Sequence, residues 1–254
     1  MLLVYDIGNT NIVVGLFEGD GLIGYWRFTT GTVRTAAELR LNGRSILDEA
    51  GVDGAGIDGV VIASVVPSLN RPLKEGLEPL VDGKIRFLTP SNSPIPLRVD
   101  QTESVGPDRI ANCIAAHAIY GGPVLVLDFG TAITFDLVDQ DGAFLGGAIA
   151  PEMHLAAAAM VERAALLHSV ELIPPQSVIG KTTADNIRAG VVLGYLHLVE
   201  GLISRFKAEV GADLKVVATG GMGALFHREI DAIESYDPFL TLKGLTIAWS
   251  RWSG

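Results

Sequence analysis

The stretch that decides the fold is "LLVYDIGNTNIVVGLF", residues 2–17, because it returns as "VLVLDFGTAITFDL" at residues 124–137. Each copy is an apolar run, an aspartate (Asp6, Asp128), a glycine with a threonine after it, and a second apolar run. Apolar, β-rich residues on both sides of an Asp/Gly/Asn turn predict a strand–turn–strand hairpin. A tight glycine turn exposes backbone N–H groups that form a nest for phosphate oxygens. An aspartate just before it can hold a hard cation such as Mg²⁺, directly or through water. One such hairpin alone is more often a plain polar tip; two in one chain ask for a ligand.

The segments around each hairpin also correspond. "LIGYWRFTT" (22–30) and "GAFLGGAIAP" (142–151) read as third strands, and "GVVIASVVP" (59–67) fills the same slot as "LKVVATGGMG" (214–223), a buried strand and then a turn. Helical spacing is clear over 35–50, over 154–167, and over a long run that opens near Thr183 or Asp185 and ends near 210. "IRFLTP" (85–90) is a short strand, and "LTLKGLTIAWSRW" closes the chain. "GPDRIANCIAAHAIYGG" (106–122) is a helix with proline in its first turn and paired glycines at its end. The Pro/Ser/Asn-rich loop 91–104 marks the expected boundary, giving an N-terminal domain 1–104 and a C-terminal domain 105–254. The fold class is therefore α/β, a duplicated pair of domains.

Composition narrows the function. Of 254 residues, 48% are hydrophobic and 19% charged, enough apolar material for a sizeable core. A formal net charge of −10 excludes a basic stripe for nucleic acid, although local donors can still bind a small anion. Cys113 is the only cysteine, so no intrachain disulfide forms. "MLLVY" meets Asp6 too soon for a signal peptide, and no run of 18 uncharged apolar residues predicts a membrane span. A cytoplasmic protein is expected. The motifs H-E-x-x-H, G-x-S-x-G and G-x-x-x-x-G-K-[ST] are all lacking, which argues against zinc protease, serine hydrolase and P-loop chemistry.

The repeated hairpin resembles the phosphate motifs of the acetate and sugar kinase, heat-shock chaperone and actin superfamily, and "VVATGGMG" resembles its adenosine motif. That resemblance implies two ribonuclease-H-like (actin-like ATPase) domains with mixed five-stranded sheets and a nucleotide cleft between them. "DIGNTNIVVGLF", "VGPDRIAN", "DFGTAITFD", "GGAIAP", "IGKTTADNIRAG" and "VVATGG", in that order, are together similar to type III pantothenate kinase. The family resemblance implies ATP with Mg²⁺ as cofactor, pantothenate as substrate, a monovalent cation (K⁺ or NH₄⁺), and a homodimer.

Residue by residue, the resemblance assigns nucleotide contacts to Asp6, Ile7, Gly8, Asn9, Thr10, Asn11, Ile12 and Val13, with Asp6 on the Mg²⁺ side. It assigns further nucleotide contacts to Thr131, Gly220 and Gly221, and the monovalent cation to Asp128. Gly106, Pro107, Asp108, Arg109 and Thr183 fall to pantothenate. Asp108 is the expected catalytic base, at a helix start where the dipole favours the carboxylate. Arg109 can fork two hydrogen bonds onto a substrate carboxylate. Thr183 has a plainer alternative as the cap of the long helix, and Asp136 reads as structural. The chain departs from the family pattern at Val99, Pro107, Glu152 and His168. Two rival readings stand beside the kinase: a nucleotide-binding accessory protein without turnover, and a same-fold kinase or phosphohydrolase for another substrate.

Overall fold

The computed structural model describes residues 1–31 and 34–253. The chain opens with strands β1 (Leu2–Ile7), β2 (Asn11–Glu18) and β3 (Gly21–Thr29), then α1 (Ala36–Ala50), β4 (Gly59–Ser64), α2 (Pro67–Leu77), β5 (Lys84–Phe87) and α3 (Pro107–Tyr120). It continues through β6 (Val124–Phe129), β7 (Ala132–Val138), β8 (Phe144–Pro151), α4 (Met153–Arg163) and α5 (Thr183–Arg188). A π-helical segment, Ala189–Leu193, joins α5 to α6 (Gly194–Val210), and β9 (Lys215–Gly220), α7 (Gly223–Glu229), β10 (Ser235–Tyr236) and α8 (Leu240–Ser253) complete the chain.

Two five-stranded mixed sheets result, and they have one topology. The first runs β3-β2-β1-β4-β5 and the second β8-β7-β6-β9-β10. In each, the hairpin is antiparallel and the next two strands lie parallel to its first strand. The duplication read from the hairpins therefore extends over the whole sheet. Asp6 and Asp128 occupy the same place, the fifth residue of β1 and of β6. The tips differ by one residue: Ile7 faces Ile12 across four residues, and Phe129 faces Ile133 across three.

The chain divides into two compact units. The first holds Met1–Gly121, Asp141–Leu145 and Phe239–Gly254. Leu3, Tyr5, Ile7, Val14, Val60 and Ile62 turn one face of its sheet towards Leu39 and Ile46 of α1 and Leu69 and Leu73 of α2. Fully burying such side chains contributes about 2 kcal/mol each. On the other face lies α8, so close that a Cβ on Gly59 would strike the Trp249 indole at 2.3 Å. The second unit holds Gly122–Gln140 and Gly146–Pro238. There Leu125, Leu127, Phe129, Ile133 and Phe135 pack on Leu196, Val199 and Ile203 of α6 and Phe226 of α7.

This division differs from the 1–104/105–254 split. Helix α3 groups with the first unit because it is packed on α8: Thr241 donates its hydroxyl hydrogen to Asn112 Oδ1 at 2.8 Å. The 91–104 loop is not a free linker either. Arg98 N–H donates to the Phe144 carbonyl, and Phe144 N–H to the Pro96 carbonyl, both at 2.9 Å.

Other elements shift from expectation for local reasons. Strand β4 stops at Ser64, and Pro67 opens helix α2, a position where its missing N–H costs nothing. Helix α4 ends at Arg163 instead of 167. The helical run Thr183–Val210 is long and apolar enough to span a membrane, with a hydropathy of 1.3. Its Leu196, Val199 and Ile203 belong to the core of the second unit.

Candidate active site

In the first unit, the candidate residues gather where the parallel strands β1 and β4 end. Ligands of open α/β sheets bind at such carboxyl ends. Asp6 is half-buried at the end of β1, and the tip beyond it is closed by Gly8 N–H donating to the Asn11 carbonyl at 2.9 Å. Asn9 and Thr10 are exposed at that tip. Ile7 and Ile12 are buried in the apolar core and paired within the sheet, so their side chains do not face a ligand. The Ile7 carbonyl is already taken by Val65 N–H at 3.0 Å. Val13 is half-buried on the opposite face of β2.

A residue that the sequence reading missed holds this tip. Thr30, only 1% exposed, follows β3 and donates its hydroxyl hydrogen to the Gly8 carbonyl at 2.7 Å. Its backbone N–H donates to the Thr10 carbonyl at 3.0 Å. No sequence signal marks Thr30, because a threonine ending a strand is ordinary.

The "GPDR" segment opens α3. Gly106 is the N-cap, Pro107 the first helical residue, and Asp108 lies in the first turn. Asp108 Oδ1 accepts a hydrogen bond from Arg109 N–H at 2.9 Å. A Cβ on Gly106 would lie 2.4 Å from that same Oδ1 and 3.7 Å from Val65 Cγ1. Glycine at 106 is thus the space in which the carboxylate sits. Burial pushes the Asp108 carboxyl above the ordinary aspartate value, against the smaller lowering effects of the Arg109 N–H and charge. The helix-dipole expectation had the opposite sign, since it saw the helix start and not the burial. The Arg109 guanidinium stacks over the Phe144 ring at 5.3 Å, a cation–π contact that orients its plane.

Gly106→Ala should therefore separate activity from stability. The added methyl displaces only a side-chain end, so melting should shift by less than about 3 °C. Turnover should fall about 30-fold, since an ångström of misplacement costs on that order. Steady-state kinetics beside a thermal melt will read both.

In the second unit, Asp128 is half-buried at the end of β6, and Gly130 N–H closes the tip on the Ala132 carbonyl at 3.1 Å. Thr131 is exposed there. Gly220, at the end of the neighbouring β9, has φ +84°. A Cβ on it would lie 2.6 Å from Asp128 Oδ1 and 2.6 Å from the Phe129 carbonyl oxygen. Tyr236 donates its hydroxyl hydrogen to the Gly220 carbonyl at 3.2 Å. The fold thus brings Asp128 and Gly220 together, and Gly221 beyond is exposed and unobstructed. Asp136 is fully buried and accepts a hydrogen bond from Thr134 at 2.9 Å.

Thr183 is exposed at the first position of α5, but it is not the cap. Thr182 is: its Oγ1 accepts from Asp185 N–H at 3.1 Å and donates to Asp185 Oδ2 at 2.8 Å. Glu152 also has a structural reason. It caps α4, accepting from His154 and Leu155 N–H at 2.8 and 3.1 Å, and these bonds hold its pKa below the ordinary glutamate value despite partial burial.

Among the described residues, no group of three or more His, Cys, Asp or Glu side chains is placed to hold a metal. One carboxylate beside a turn of amides still suits Mg²⁺, which usually takes one or two protein carboxylates and completes its shell with substrate phosphate and water. The donor set at Asp6 fits a metal that arrives with a nucleotide.

Two sheets of one topology, each with an aspartate and a glycine turn at the end of its first strand, define a duplicated α/β protein. The solved structure of a ROK hexokinase from Thermus thermophilus shares this fold, with TM-score 0.51, 18% identity and coverage of 100% and 99% of the two chains. A Baf family transcriptional activator from Campylobacter jejuni shares it too, at TM-score 0.62, 21% identity and coverage of 99% and 98%. The model of type III pantothenate kinase matches residues 2–205, and the chain is 44% identical to the type III pantothenate kinase of Moorella thermoacetica over 99% of both proteins. The chain belongs to the type III pantothenate kinase family.

Proposed function

We propose that the protein transfers the γ-phosphoryl group of ATP to the primary hydroxyl of pantothenate, giving 4'-phosphopantothenate, the first step of coenzyme A biosynthesis. The observation that carries this reading is Asp108. Its carboxyl occupies the space left by Gly106 at a helix start, and its pKa is raised by burial. A base with a raised pKa is a better proton acceptor. In the step, the pantothenate hydroxyl oxygen bonds to the γ-phosphorus, the bond from that phosphorus to the ADP oxygen breaks, and the hydroxyl proton passes to Asp108. Arg109, with its plane set by Phe144, holds the pantothenate carboxylate, and Gly106, Pro107 and Thr183 complete the substrate contacts.

The first tip serves the triphosphate. Asn9 and Thr10 carry amide and side-chain donors at the exposed tip, Ile7, Gly8, Asn11, Ile12 and Val13 form the hairpin that holds them there, and Asp6 gives the carboxylate for Mg²⁺. When bound, Mg²⁺ neutralises developing charge on the phosphate oxygens. The family resemblance also gives Thr131, Gly220 and Gly221 nucleotide contacts, and Asp128 a monovalent cation, K⁺ or NH₄⁺. The protein works in the cytoplasm as a homodimer. Ile149, Leu155, Val178 and Ile179 of the second unit, 56 to 71% exposed, support an apolar self-association surface.

The test is ATP-dependent phosphorylation of pantothenate, with product identified by mass and with K⁺ or NH₄⁺ present or omitted. Tight ATP binding without turnover would favour an accessory protein. Turnover of some other alcohol alone would select a different kinase.

A second substitution tests the nucleotide role. Gly220→Ala forces a Cβ into a left-handed backbone and onto the Phe129 carbonyl. We expect ATP affinity to fall about tenfold and stability by about 2 kcal/mol, read by isothermal titration and denaturant melts.

A further inference from the structure

We propose that Thr30 is a positioning residue for phosphoryl transfer: it sets the orientation of the first tip's peptide groups. The inference rests on the reading that this tip binds the triphosphate. A peptide unit is planar and trans, so the carbonyl of one residue and the N–H of the next point in opposite directions. Thr30 Oγ1 holds the Gly8 carbonyl at 2.7 Å. That bond directs the Asn9 N–H the other way, away from Thr30. The backbone N–H of Thr30 holds the Thr10 carbonyl at 3.0 Å, so two carbonyls of the tip are tied to one residue.

Thr30 is itself fixed. It is buried, and Arg34 Nε donates to its carbonyl at 3.0 Å while the same guanidinium bonds the Thr29 carbonyl. Without the hydroxyl, the Gly8 carbonyl loses its Thr30 donor. A peptide flip would then turn that carbonyl outward and present an acceptor where a phosphate oxygen needs a donor. The hydroxyl therefore keeps a preorganised array of N–H donors, the kind of electrostatic arrangement that acts without reorganising during reaction.

Three variants test this: Thr30→Val, which keeps the shape, Thr30→Ala, and Thr30→Ser, which keeps the hydroxyl. Asp6→Asn serves as the control for the tip itself. For Val and Ala we expect the KM for ATP to rise about tenfold and kcat to fall at least threefold, with the KM for pantothenate unchanged. Ser should restore both within twofold. Titration of ATP into each folded variant, checked by circular dichroism, separates this from loss of fold. If Asp6→Asn weakens ATP but folded Val and Ala variants bind it normally, Thr30 is structural and the proposal fails alone. If Asp6→Asn also leaves ATP binding intact, the reading of the tip fails and takes the proposal with it. If Val and Ala do not fold, a Ser variant with altered ATP binding overturns the proposal, and one with normal binding supports it.

Discussion

Asp108→Asn is expected to lower kcat about 1,000-fold, the middle of the range for losing a positioned general base, while the Kd for ATP stays within about twofold. The amide keeps the shape of the carboxyl, so Gly106 still accommodates it, but it cannot take the hydroxyl proton. The same substitution should not destabilise the protein at neutral pH. Burial raises the folded-state pKa of Asp108, so between its ordinary value and that raised value the native state binds more protons than the unfolded one. Stability from this group is thus complete at low pH and declines as pH rises through that window. Asn removes the decline. The variant should be equal to or more stable than the parent at pH 7, with the difference vanishing below the ordinary carboxylate range. The parent's activity should fall on acidification with a midpoint above that range. A variant that is less stable at pH 7 would count against burial as the cause.

The second large effect is on folding. Gly244 of α8 lies against α3, where a Cβ would be 1.9 Å from the Ala111 carbonyl oxygen and 2.5 Å from its carbon. Backbone cannot yield as a side chain does, so Gly244→Ala must push the helices apart. We expect a loss of about 3 kcal/mol, at the upper end for overpacking, and a fall in Tm of about 10 °C at this chain length. Activity per folded molecule should drop too, because α3 carries Asp108. Gly201 of α6 makes the contrast, since a Cβ there meets nothing within 4 Å. Gly201→Ala should raise stability by about 0.5–1 kcal/mol through helix propensity alone.

What the sequence revealed follows from range. The hairpins were legible because an apolar run, a polar turn and a second apolar run lie within 16 residues of each other, and the same order returns at 124–137. Helix α2 was not, because Pro67 and Pro72 break the pattern that announces a helix: Pro67 takes the tolerated first position, but Pro72 lies inside, where it costs a backbone hydrogen bond that the packing of the helix offsets. Strand β10, two residues long, has no period to detect. The grouping of α3 with α8 joins segments more than 120 residues apart, through close contacts at Gly244 and Asn112 that no local pattern encodes. At the candidate site, residue types were readable, but their environment was not. The sequence showed Asp108 at a helix start; its burial, its nook beside Gly106 and the Thr30 brace came only with the fold.

The unequal tips have a broader consequence. Beyond the extra residue the pairing resumes unchanged, Asp6 opposite Val13 and Asp128 opposite Thr134. Both sheets are blind to what happens at their turns. A duplicated gene begins with two identical ends, and one can lengthen, shorten or change its side chains without disturbing the scaffold inherited with it. The chemistry of each end is free to diverge while the architecture is conserved as a pair.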